Sequence, residues 1–221
     1  MKKIMMLLAA AVLLLGVNGQ AMASFVNGDL IQVVYSGTTE IATDEGALAT
    51  LLAGGTTLNF SSPLANANVA YFDYTSTSGS GYGQVWATGT SATGKEGSLS
   101  TFVTAYNNTT GLYIGQGGSQ VTVSPSLPNS YFSQMDSNGG TVGQLAGFIP
   151  AGGAEATLVA NGPVTQSLYQ YTPTGTRGNT TGSIVATINT GNVAATPVPP
   201  SILLMGSGLL GLAGIGRKRT A

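Results

Sequence analysis

Eight carboxylates are the residues of this chain best suited to chemistry: Asp29, Glu40, Asp44, Glu45, Asp73, Glu96, Asp136 and Glu155. Two carboxyl groups at the right separation suffice for glycoside hydrolysis, one as acid and one as base or nucleophile. Asp73 and Glu155 lie in or beside strand-like stretches and are the candidates for such a pair. Most of the others stand in turn-like or helix-start contexts, where solvation or capping explains them. The chain has no histidine and no cysteine, so a Ser-His-Asp or Cys-His constellation cannot be built and a zinc site lacks its two best ligand types. Gly206, Gly208 and Gly211 match G-x-G-x-x-G, but a dinucleotide loop must follow a strand and open a helix, and these glycines sit inside an apolar run. "DSNGG", Asp136 to Gly140, starts like a calcium loop through Asp136 and Asn138 but lacks the later ligands; it reads as a turn. No catalytic, cofactor or metal residue is assigned on this basis, and the chain reads as a non-enzyme.

The aromatic residues offer a different chemistry. Tyr71, Phe72, Tyr74, Tyr82 and Trp86 fall close together. On a strand, neighbouring residues face opposite ways, so Phe72 and Tyr74 share one face and Tyr71 and Asp73 the other. One reading makes the cluster core with cross-strand pairing. The other makes Tyr71, Tyr74, Tyr82 and Trp86 a platform for stacking on sugar rings. Threonines at alternating positions (Thr172, Thr174 and Thr176; Thr75 and Thr77; Thr88 and Thr90) would form a flat hydroxyl array on a strand, as an ice-binding surface requires, with the same side chains about 7 Å apart.

The elements that must position these groups are mostly strands. "DLIQVVY" (Asp29–Tyr35), "VAYFDYT" (Val69–Thr75), "YGQVWAT" (Tyr82–Thr88), "QVTVS" (Gln120–Ser124), Ala156–Ala160, Ser167–Tyr171 and "SIVATIN" (Ser183–Asn189) are short and rich in β-branched or aromatic residues. Turn signals separate them: "TSGSG", "NNTTG", "SNGG", "PAGG", "NGP" and "PTGTRGN". "DEGALATLLA", Asp44–Ala53, predicts one short helix, capped by Thr43 or Asp44 and stopped by Gly54-Gly55. Ser98–Tyr106 fits strand or helix. The predicted fold class is mainly all-β, an antiparallel β-sandwich with one short helix, plus an N-terminal signal helix and a C-terminal hydrophobic helix.

The ends differ from the body. Lys2 and Lys3 precede an uncharged apolar run from Ile4 to Val17, and Ala21-Met22-Ala23 follows. This is the pattern of a secretory signal peptide over residues 1–23, cut between Ala23 and Ser24 with Ala21 and Ala23 as the small residues read. An exported body over residues 24–196 is long enough for one domain with its own core. Its cations are Lys95 and Arg177; set against the eight carboxylates, they leave a formal charge of −6. Such a body is a poor partner for nucleic acid. After Pro197, Val198, Pro199 and Pro200 comes "SILLMGSGLLGLAGIG", then Arg217, Lys218 and Arg219. Sixteen uncharged residues as a helix span about 24 Å, short for a bilayer but insertable, and adjacent basic residues stay in the cytoplasm.

This proline neck, glycine- and leucine-rich run and basic end resemble the PEP-CTERM sorting segment of bacterial exported proteins, over residues 197–221. Val198 stands where the family has glutamate, giving a Val-Pro-Pro variant. The resemblance implies processing by an exosortase, an integral membrane transpeptidase-like enzyme, and a place beside exopolysaccharide export; a similar tail also names some ice-binding-type proteins. The expected partners are therefore signal peptidase and the secretion machinery, an exosortase-type enzyme, exopolysaccharide, and the inner membrane through the C-terminal segment in transit. The expected function is a structural or adhesive role at the cell surface or in the extracellular matrix. The alternatives are a carbohydrate-binding module using the aromatics, and ice binding.

Overall fold

The stretches with the least strict alternation, Asp29–Ser36 (β1) and Asn68–Thr75 (β4), form the centre of a sheet and are buried along most of their length. Near-continuous burial of this kind marks strands covered on both faces. In the computed structural model, which describes residues 25–76, 82–136, 143–149, 153–158 and 163–191, the remaining strands are Thr39–Ala47 (β2), Thr57–Ser61 (β3), Gln84–Gly89 (β5), Thr93–Lys95 (β6), Gln120–Val123 (β7), Ala156–Thr157 (β8), Val164–Tyr171 (β9), Asn179–Thr181 (β10) and Ser183–Gly191 (β11). The chain is mainly β. Nine strands form one curled mixed sheet in the order β3-β11-β9-β5-β4-β1-β2-β7, with β8 added against β4. The pairs are antiparallel except for β11 with β3, and β6 and β10 make a separate two-stranded piece. The strands therefore do not divide into two facing antiparallel sheets. Each face of one sheet is covered instead by helix and loop.

Two side-chain sets show this. Ile31, Val33, Tyr35, Phe72, Val85 and Tyr171 point to one face, where they meet Phe102, Tyr106 and Tyr113. Leu30, Val34, Tyr71, Leu168 and Ile188 point to the other, against Leu48, Leu51 and Leu52. The second face is covered by the short helix Leu48–Ala53 (α1). Its location agrees with the expected helix, but its start does not. Asp44 and Glu45 belong to β2, and Ala47 precedes the helix without a side-chain cap. Asp44 is engaged elsewhere, accepting from the backbone N–H of Phe25 and of Gly46, each at 2.8 Å.

The first face is covered by an 18-residue helix, Leu99–Gln116 (α2), which settles the ambiguous Ser98–Tyr106 stretch and extends well past it. "NNTTG", expected as a turn, lies inside it. Its Thr, Asn and Gly residues each cost helix stability, up to about 0.7 kcal/mol for the ordinary ones and about 1 kcal/mol for glycine. Leu99, Phe102, Tyr106, Thr109 and Tyr113 are all buried, at spacings of three and four that make one helical stripe. Burial of each large side chain is worth about 1.5–3 kcal/mol, so packing overrides propensity. Among the described residues no helix is long and apolar enough to cross a membrane. The signal segment, the sorting tail, the turn signals "TSGSG" and "SNGG", and most of "PAGG" and "NGP" lie outside the described residues.

Candidate functional site

None of the eight carboxylates is exposed. Glu40, Asp44, Asp73, Glu96 and Asp136 are buried, and Asp29, Glu45 and Glu155 are half-buried, while the body's two cations, Lys95 and Arg177, are exposed. Carboxylates enter an interior only when hydrogen bonds replace water, and here tyrosines supply many of them. The Tyr35 hydroxyl lies 2.6 Å from Glu155 Oε2 and 3.0 Å from Asp136 Oδ2. Tyr131 donates to Glu155 Oε1 at 2.8 Å. Tyr113 donates to Glu40 Oε1 at 2.8 Å, and the backbone N–H groups of Tyr131 and Phe132 reach the same carboxylate at 3.0 Å. Burial pushes Glu155 up to about 7, with the neighbouring Asp136 adding to the rise and the tyrosine hydroxyls opposing it. Burial also raises Glu40 and takes Glu45 to about 7.

This arrangement gives the inner carboxylates hydroxyl and N–H donors in place of water, with Glu155 half-buried at the lining of a cleft of about 320 Å³. Asp136 has no exposed surface, and both Glu155 oxygens are taken by tyrosines. The carboxylate beside Glu155 is Asp136, not Asp73. Asp73 sits in a separate set, accepting from the Gly28 N–H at 2.9 Å, the Thr75 hydroxyl at 3.2 Å and the Tyr106 hydroxyl at 3.4 Å. Asp136 faces inward, and Asn138 lies outside the described residues. Among the described residues the threonine positions do not form a flat array. Thr88 is fully buried and bonded to the Ala154 carbonyl at 2.7 Å. Thr172, Thr174 and Thr176 follow β9 in a loop, and Thr77 lies outside the described residues. Within that loop the Thr174 N–H and the Thr176 hydroxyl reach Glu96 at 3.0 and 3.3 Å. Burial works against the charge on Glu96, but these hydrogen bonds outweigh it and hold its carboxyl below the usual range.

The four candidate aromatics separate into three places. Tyr71 is fully buried, its ring stacked 5.4 Å from Phe60 and its hydroxyl 2.7 Å from both Gln32 Nε2 and Thr190 Oγ1. It is core, and no sugar reaches it. Tyr74 and Tyr82 line one groove of about 460 Å³ with Glu96, Ser100, Thr104 and Gly175, a size ordinary for a small-ligand site. Both rings rest on glycine. A Cβ at Gly175, whose φ is +80°, would overlap the Tyr82 ring, and one at Gly83 would overlap the Tyr74 ring. Tyr82 is 42% exposed, so the groove presents aromatic surface to solvent beside hydroxyls.

Trp86 lines a different cleft, of about 390 Å³, on the face covered by α1. The register explains its lining. Asp73 on β4 is paired with Trp86 on β5, and Trp86 with Gln170 on β9. The next row on that face contains the paired Thr75 and Gln84. Leu48, Ala49 and Leu52 of α1 close the cleft from above. The sequence reading missed Gln84 and Gln170. They carry no signal until the strand register sets them beside Trp86. Comparison with family models, with curated proteins and with solved structures finds no match for this chain. The sorting positions Pro197, Val198, Pro199, Pro200, Arg217, Lys218 and Arg219, and the cleavage positions Ala21, Ala23 and Ser24, lie outside the described residues.

Proposed function

We propose that this chain is an exported protein of the bacterial cell surface or exopolysaccharide matrix, sorted through its C-terminal tail, whose body is a non-enzymatic structural or adhesive unit that holds neutral polysaccharide. One observation carries the reading: none of the eight carboxylates of the body is exposed, five being buried and three half-buried, and the exposed surface of the described residues is rich in hydroxyl and amide groups. Such groups donate and accept hydrogen bonds as sugars do, with little demand on charge. Tyr74 and Tyr82, set side by side in a groove edged with Ser100 and Thr104, favour the carbohydrate-binding form of this reading. A sugar ring offers a C–H face to a tyrosine and hydroxyls to the rim.

Retention of the mature chain on neutral polysaccharide tests it. Tyr82→Ala removes the stacking face, and Gly175→Ala displaces the Tyr82 ring without deleting it. Each is expected to weaken retention by about threefold to tenfold, as loss of one aromatic contact implies. Retention unchanged in both variants removes the groove from the reading. Mass spectrometry of material recovered from the cell surface tests the sorting. The expected product starts at Ser24 and lacks the basic end, and intact residues beyond Gly216 count against processing.

A further inference from the structure

We propose that Glu96 is the positioning residue of the tyrosine groove: it acts through the loop on which Tyr82 lies rather than on the sugar, and the groove keeps its shape only while Glu96 is ionised. The inference rests on the reading that the groove holds neutral polysaccharide, and it names what controls that site. The loop is residues 172–178, between β9 and β10, and residues 174–178 are exposed. It contributes Gly175 to the groove wall. Tyr82 packs so closely there that a Cβ on Gly175 would lie 1.9 Å from the ring. The course of the loop therefore decides where the Tyr82 ring can sit.

One carboxylate holds the middle of that loop. Glu96 stands in a short helical turn, Glu96–Ser98, that leads into α2. Its Oε1 accepts from the Thr174 N–H at 3.0 Å and the Thr174 hydroxyl at 3.2 Å, and its Oε2 from the Thr176 hydroxyl at 3.3 Å. These donors flank Gly175 on both sides. The loop ends are tied separately: the Thr180 hydroxyl donates to the Thr172 carbonyl, and the Glu96 N–H to the Gly178 carbonyl, each at 3.1 Å. Hydrogen bonds to an ionised acceptor are roughly twice as strong as neutral ones, so the grip on Gly175 depends on the charge. The ionisable groups around Glu96 are Lys95 beside it in the chain, Arg177 in the loop, and Tyr74 and Tyr82 across the groove. Both cations favour the charged form. Protonation turns part of the acceptor into an O–H, weakens the three bonds together and lets Gly175 move away from Tyr82. Those bonds place the change below the ordinary carboxyl range.

Arg177 makes the loop its own reporter, because trypsin cuts after arginine and an opened segment is cut faster. Glu96→Gln keeps the shape and removes the charge. In the mature full chain it is expected to speed cleavage after Arg177 by about tenfold at neutral pH. Retention on neutral polysaccharide should fall by about threefold, no further than in Tyr82→Ala. Adding Glu96→Gln to Tyr82→Ala should cost nothing more, since the two act on one contact. The parent should lose retention between about pH 5 and pH 3, and the Glu96→Gln chain, already weakened, should show no such step. Thr174→Val combined with Thr176→Val removes two donors, leaves the charge and should reproduce the faster cleavage. Unchanged cleavage after Arg177 in Glu96→Gln, or losses of retention that add in the double variant with Tyr82→Ala, overturns the positioning role and leaves the groove standing. Retention untouched by Tyr82→Ala overturns the groove itself and, with it, this role for Glu96.

Discussion

Glu155 shows how single residues set the stability of this body. It accepts from two tyrosines beside the buried Asp136, and burial has moved its carboxyl from the ordinary 4.5 up to about 7. The folded state therefore holds this proton more tightly than the unfolded chain does. Folding is favoured most below about pH 4.5, and that advantage is lost as pH rises to about 7, beyond which both states are ionised. Glu45, also raised to about 7 by burial, acts in the same direction. The melting temperature is expected to fall by several degrees between pH 5 and pH 8, the reverse of a protein held by ion pairs. Glu155→Gln keeps the shape and lets Nε2 donate to one tyrosine oxygen. Calorimetry across that range should show a shallower slope and a higher melting temperature at pH 8. A variant that parallels the parent curve would mean that Glu155 does not carry the effect.

At the scale of the elements, α2 packs a helix of poor local propensity against the sheet because five positions on one stripe are buried. Thr109 is one of them, fully buried, and its hydroxyl has no partner among the described residues. Thr109→Val keeps the branched shape and removes the stranded oxygen, so it should stabilise the body by about 1 kcal/mol. Denaturant unfolding at constant slope checks this, and destabilisation would mean the hydroxyl is bonded after all. Seven of the eleven strands were readable in the sequence because each carries a short β-branched or aromatic burst ended by turn residues; β2, β3, β6 and β10 were not, being polar or only three residues long. The helix was not, since "NNTTG" has the composition of a turn, although the spacing Leu99, Phe102, Tyr106, Thr109 and Tyr113 was there to be read. The single curled sheet was hidden for a related reason. Alternation says that β1 and β4 have two faces, but not whether a second sheet or a helix covers each. Of the site, Trp86, Tyr74 and Tyr82 were legible as types; their division between opposite faces needed the pairing of β4 with β5.

The whole molecule reverses the impression given by its formal charge. A body at −6 reads as acidic, yet its carboxylates are buried or half-buried and the exposed ionic side chains among the described residues are Lys95 and Arg177. A neutral polysaccharide brings no charge to the contact, so screening by electrolyte leaves the stacking and hydrogen bonds that hold it largely unchanged. The body's grip on a hydrated gel should thus be nearly the same in fresh water and in brine. Retention measured from millimolar salt to about 1 M should stay flat, where a charge-driven adhesive would let go; a steep loss would mean that ion pairing holds it after all.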